Sequence, residues 1–278
     1  MPNELLIAKR NNISPTCQDI DATPLAWREA GTGPVMLFLH GLGGSRTAWE
    51  PQLLDLADTY RCVAWDMPGY GASAPGPDSL TFSHLAQAVA NLLDALEVKR
   101  AVVVGLSLGG MVAQHFALEH PERISSLVLL DTSPAFGLDG TTDAQTWADQ
   151  RLKPLAEGKT PGDIAPMVLQ SVAGPQISSA NLAIAIAAME RISPAGLAAT
   201  VRCLPSHDTR ERLPEISCPT LVLVGDLDTE TPPAYSQLLA QLIPQAHYAE
   251  VTGAGHLSNL EKPDQVNQLI RNHLKETT

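Results

Sequence analysis

The chain is poor in aromatic residues, 4% of its 278 positions, and poor in charge, with 17% Asp, Glu, Lys and Arg. Basic residues are the scarcer sign: 18 Lys and Arg stand against 30 Asp and Glu, a formal net charge of −12. A protein that neutralises phosphates needs the opposite balance, which argues against nucleic acid or an anionic membrane surface as a partner. No run of eighteen apolar residues occurs, so a membrane-spanning helix is not expected. The opening Met1-Pro2-Asn3-Glu4 lacks the basic region and long apolar segment of a signal peptide. Cys17, Cys62, Cys203 and Cys218 are scattered and form no C-x-x-C pair. These absences predict a cytoplasmic, reduced protein with no structural metal.

Apolar residues are plentiful at 44%, enough for the core of one α/β domain carrying an insertion. Strand-like runs recur at Val35-Leu39, Cys62-Trp65, Ala101-Val104, Leu127-Leu130 and Leu221-Val224. Helical patterns at Arg46-Leu56, Phe82-Leu96 and Leu108-Leu118 separate most of them. The alternation predicts a mostly parallel central sheet with helices on both faces. Leu5 to Ala30 reads as antiparallel edge strands. The interval after Leu130 holds no strand signal, only Ala-rich helical stretches such as Ser179-Met189 punctuated by prolines. Residues 137–213 are therefore expected to form a helical cap over the sheet edge, with 1–136 and 214–278 as the core. Aliphatic walls are expected there, because aromatics are scarce.

Gly105-Leu106-Ser107-Leu108-Gly109 lies between a buried strand and a helix. A sharp turn at that place needs glycines beside the serine, and it holds the hydroxyl clear of the sheet at a helix N-terminus. A serine hydroxyl at neutral pH is a poor nucleophile unless a base and an orienting acid accompany it. His256, in the small-residue loop Gly253-Ala254-Gly255-His256-Leu257, is the candidate base. Two carboxylates compete for the acid: Asp228, after the strand Leu221-Val224, and Asp131, at the end of the preceding strand. Acyl transfer also needs donors for an oxyanion. The loop His40-Gly41-Leu42-Gly43-Gly44 allows close backbone approach, so the N–H groups of Leu42 and Leu108 are the candidate pair, with Gly43 as the alternative first donor. His40 and the turn Asp66-Met67-Pro68-Gly69-Tyr70-Gly71 read as scaffold.

Serine, acid and histidine in that chain order, with a glycine loop upstream, resemble the α/β-hydrolase superfamily along nearly the whole chain. The resemblance implies Asp228 as the acid, since Gly225 to Pro232 match the family's G-x-x-D-x-x-x-P loop. Ser107 sets the chain apart from members with an aspartate nucleophile. Gly105 to Met111 and His256 to Pro263 look like 3-oxoadipate enol-lactonases and neighbouring carboxylesterases. Two departures stand out: Leu108 where those lactonases carry methionine, and Pro68-Gly69-Tyr70-Gly71 where they carry Arg-Gly-His-Gly. The implied activity is hydrolysis of a small carboxylic ester or lactone through an acyl-enzyme on Ser107, without metal or organic cofactor. A homodimer is compatible with it. Rival readings are a carbon–carbon bond hydrolase of meta-cleavage products using Arg191 or Arg202 for a substrate carboxylate, a cofactor-free perhydrolase, and a slow-turnover small-molecule sensor.

Overall fold

The computed structural model describes residues 16–277. The first four residues, and the start of the expected edge-strand segment at Leu5, lie outside the described residues. Five central strands are apolar at nearly every position: β3 (Val35–Leu39), β4 (Arg61–Trp65), β5 (Ala101–Leu106), β6 (Ile124–Leu130) and β7 (Thr220–Gly225). Such strands are at home where helices cover both faces of a sheet. Alternate residues divide between two cores, as the two-residue period of a strand requires. Leu37 and Leu39 join one core with Val89, Val112 and Phe116; Met36 and Phe38 join the other with Leu53, Leu56 and Ile270.

With β1 (Gln18–Ile20), β2 (Trp27–Ala30) and β8 (Ala246–Val251), the eight strands run in the order β1-β2-β4-β3-β5-β6-β7-β8. Only the β1–β2 and β2–β4 ladders are antiparallel, so the expected antiparallel edge is present in the described part of that segment. The remaining ladders are parallel. Helices α1 (Glu50–Leu56), α2 (Phe82–Ala95) and α3 (Leu108–Glu119) follow the early strands; α8 (Pro233–Leu242), α9 (Ser258–Glu261) and α10 (Pro263–Thr277) follow the last two. The last helix buries Val266, Ile270 and Leu274, spaced by four along one stripe.

Four helices fill the interval between β6 and β7: α4 (Ala144–Ala156), α5 (Pro161–Val172), α6 (Ser179–Glu190) and α7 (Pro194–Cys203). Asp143, Thr160, Ser178 and Ser193 cap their N-termini, each accepting a backbone N–H. Two of the prolines that punctuate the sequence, Pro161 and Pro194, begin helices, where a missing N–H costs nothing. The chain enters and leaves this layer side by side: Ala135 and Asp208 form an antiparallel bridge flanked by Phe136 N–H to His207 O at 2.9 Å and Thr209 N–H to Pro134 O at 2.9 Å. Among the described residues no helix is long and apolar enough to cross a membrane.

Candidate active site

The serine turn is built by exclusion of side chains. A Cβ on Gly109 would run into the Leu39 carbonyl, and one on Gly105 into the carbonyl of Gly109. With both positions bare, α3 packs directly over β3 and β5, and Ser107 takes φ 53°, ψ −120°. Such a conformation costs roughly 1–3 kcal/mol and persists only when its surroundings enforce it. Here they do: Ser107 N–H donates to Leu130 O at 2.9 Å, and Ser107 O accepts the Thr132 hydroxyl at 2.7 Å.

The three sequence-selected side chains converge. His256 Nε2 lies 2.9 Å from Ser107 Oγ, and His256 Nδ1 lies 2.8 Å from Asp228 Oδ2. Asp228 is held from its own loop, with Oδ1 accepting the N–H groups of Glu230 at 2.8 Å and Thr231 at 3.0 Å, and Oδ2 accepting the Thr231 hydroxyl at 2.8 Å. Asp131, the competing acid, makes no hydrogen bond to the histidine. Its carboxylate accepts Gly225 N–H at 2.8 Å and Ser258 N–H at 3.2 Å, from within a fully buried site.

Burial alone would pull the His256 pKa down, but the negative charges of Asp228, Asp131 and Glu230 outweigh it and raise the value above the ordinary imidazole range. Asp228 moves the opposite way: burial raises it, yet His256 and the Thr231 hydrogen bonds bring it below the usual carboxylate range. Asp131 is pushed up to about 7, first by burial and then by the charge of Asp228. Two carboxylates close together are thus shifted in opposite directions, Asp228 downward and Asp131 upward.

The glycine loop lies against the serine, where a Cβ on Gly41 would sit 3.2 Å from the Ser107 Cβ. The N–H groups of Leu42 and Leu108 have no hydrogen-bond acceptor among the described residues. His40 is buried scaffold, as its context suggests. Met67 N–H donates to its Nε2 at 3.1 Å, so the ring proton sits on Nδ1 and donates to Gly41 O at 2.9 Å. Glu261 went unnoticed in the sequence. Its buried carboxylate accepts Gly255 N–H at 2.8 Å and Leu257 N–H at 3.1 Å, bracketing His256. A carboxylate a few residues beyond a glycine-rich loop was the available signal.

A cavity of about 660 Å³ opens over Ser107 between the sheet loops and α4–α7. Its wall includes Leu169, Met189, Leu197 and Val201, but also Trp49, Phe136, Trp147 and Tyr235. The expectation of purely aliphatic walls is therefore corrected, since overall scarcity does not govern where the few aromatics fall. Neither Arg191 nor Arg202 lines the cavity. Arg191 approaches Asp66 Oδ2 at 3.5 Å, and Arg202 is exposed. Among the described residues Arg151 is the only Lys or Arg in the wall. Its guanidinium lies 4.1 Å over the Trp147 ring and 3.8 Å from Glu230.

Comparison with known proteins agrees with this architecture. The chain is 29% identical over 274 residues to 3-oxoadipate enol-lactonase 2 of Acinetobacter baylyi, covering 94% of this chain and 95% of that one. It is 30% identical to a pimeloyl-[acyl-carrier protein] methyl ester esterase of Vibrio vulnificus, with 87% and 95% covered. A thermophilic esterase from Thermogutta terrifontis superposes with a TM-score of 0.79 at 30% identity, over 94% of this chain and 99% of that one. Residues 36–269 match the model of the alpha/beta hydrolase family, and this chain belongs to that family.

Proposed function

We propose that this hydrolase cleaves a small carboxylic ester or lactone through an acyl-enzyme on Ser107. The observation that supports the reading is the unbroken relay from Asp228 through His256 to Ser107 Oγ, facing the cavity. In this reading Ser107 Oγ attacks the substrate carbonyl while His256 Nε2 takes its proton. Asp228 stays ionised, fixes the tautomer with the proton on Nδ1, and stabilises the imidazolium. The oxyanion accepts from Leu42 N–H and Leu108 N–H, whose directions are set before substrate arrives. Collapse breaks the acyl–oxygen bond, and the leaving alkoxide takes the proton from His256. Water then attacks the acyl-enzyme with His256 again as base, releasing the acid and restoring Ser107.

The lactonase and methyl ester esterase among the relatives support an ester bond as the target. The placement of Arg191 and Arg202 away from the cavity removes the motive for the carbon–carbon hydrolase reading. A cytoplasmic setting fits the four free cysteines. The test is a set of initial rates on nitrophenyl esters of graded acyl length, several lactones and one meta-cleavage dione, with Ser107→Ala as control. Ser107-dependent cleavage of short esters or lactones is the expected result; cleavage of the dione alone would replace this reading.

A further inference from the structure

We propose that Tyr70 is a positioning residue for the oxyanion loop, through which the helical layer α4–α7 sets the loop's geometry. The inference rests on the reading of Ser107 as nucleophile and of the Leu42–Gly43 segment, through Leu42 N–H or its alternative Gly43 N–H, as oxyanion donor.

The turn Asp66–Gly71 is bonded on both sides. Toward the helical layer, Gly71 N–H donates to Arg191 O at 3.1 Å, Ser193 Oγ donates to Gly69 O at 2.9 Å, and Tyr70 forms an antiparallel bridge with Ile192. Gly69 and Gly196 meet so closely that a Cβ on Gly196 would strike the Gly69 carbonyl. Toward the glycine loop, Met67 N–H holds His40, and the Tyr70 hydroxyl donates to Leu42 O at 3.1 Å. The Thr200 side chain of α7 lies beside the same phenol. The Tyr70 ring is fully buried and packs on the His40 ring, centroids 5.2 Å apart.

Two planar peptides therefore have fixed orientations. His40 Nδ1–H holds the carbonyl of the Gly41–Leu42 peptide, and Tyr70 OH holds that of the Leu42–Gly43 peptide. Peptide planarity puts each N–H opposite its carbonyl, so restraining the oxygens aims the donors. His40 thus aims the Leu42 N–H, while Tyr70 aims the Gly43 N–H, the alternative donor, and fixes the C-terminal side of Leu42. Glycines at 41, 43 and 44 give the loop conformational freedom; Gly44 N–H closes it onto Gly41 O at 3.1 Å, and the two side chains add the remaining restraints on its aim. Tyr70 is also bridged to Ile192 in the helical layer that forms part of the cavity wall.

The test is Tyr70→Phe, which removes one oxygen and keeps the ring, with Thr200→Val as a second variant. Steady-state rates are normalised to the fraction of Ser107 labelled by a fluorophosphonate, so misfolded protein does not count. Affinity for an alkyl trifluoromethyl ketone, which adds to the serine and places an oxyanion in the loop, gives the second readout. Tyr70→Phe is expected to lower kcat about 10-fold, less than the roughly 100-fold or more of outright donor loss. It should weaken the ketone similarly while KM stays within about twofold. Thr200→Val should move kcat and ketone affinity in the same direction by less. A lowered Tm with unchanged normalised kcat and ketone affinity would overturn the proposal and leave the serine-hydrolase reading standing. Wild-type turnover that survives Ser107→Ala would overturn both.

Discussion

The Ser258 hydroxyl donates to Asp131 at 2.6 Å, and through this contact the loop bearing His256 hangs from the end of β6. The other oxygen of the same carboxylate holds Gly225, three residues before Asp228. Asp131 thus fastens the acid loop to the base loop without touching the imidazole. Asp228→Asn should lower kcat by about 10⁴-fold, as loss of the tautomer-fixing acid does in comparable triads. Asp131→Asn should cost far less, within roughly 10-fold, because the relay keeps its chemistry and loses only part of its support. Equal losses in a side-by-side kinetic comparison would contradict this division of roles.

The pH profile follows from the charges around His256. In the proposed mechanism the histidine must be neutral to accept the serine proton, and three carboxylates favour its charged form over the pull of burial. Activity should therefore fall as pH falls through a value above the ordinary 6.5 of an imidazole. Glu230→Gln removes one of those charges and should move the acid limb of kcat/KM to lower pH. Glu230 is partly exposed, so the displacement should shrink at high ionic strength. A limb unmoved at low salt would remove Glu230 from the account.

Close packing at the serine turn makes a structural prediction. Gly109→Ala would force a methyl group into the Leu39 carbonyl, where the nearest atoms are all backbone of Leu39 and His40 and no flexible side chain can yield. Such overpacking should cost about 3 kcal/mol or more, read as a loss of denaturation midpoint. An unchanged midpoint would mean that α3 can lift from β3 without penalty.

Arg151 offers the cavity its only lysine or arginine among the described residues, its guanidinium stacked on Trp147 and 3.8 Å from Glu230. An ester with a carboxylate remote from the scissile carbonyl should be preferred over its neutral isostere. Arg151→Met should abolish most of that preference, about 10-fold in kcat/KM, while leaving the neutral ester nearly unaffected. Parallel kinetics on the two esters decide the matter, and equal losses for both would show that Arg151 only packs.

Most of the fold was legible because buried parallel strands are apolar at successive positions, as in Val35-Met36-Leu37-Phe38-Leu39. Strand ends were less legible: β5 continues to Leu106 because Gly105 interrupts the apolar pattern without interrupting the ladder, and β6 begins at Ile124, where Ser125 and Ser126 break the apolar pattern and the register shifts. Ser107, His256 and Asp228 could be selected from spacing, and the choice of Asp228 over Asp131 needed the family pattern. What the sequence hid were contacts between distant segments. Nothing local indicates that Tyr70 reaches Leu42, that Arg191 turns to Asp66, or that Arg151 enters the cavity wall. Arg151 lies in α4 and Arg191 at the end of α6, and the packing of those helices carries no short-range signature.

The most direct measurement is the intact mass of the protein quenched during turnover of a slowly deacylated nitrophenyl ester. The account predicts a mass increase equal to the acyl group, mapped to the peptide containing Ser107, and its loss together with all turnover in Ser107→Ala. Undiminished hydrolysis by Ser107→Ala, with no adduct on the wild-type chain, would contradict it.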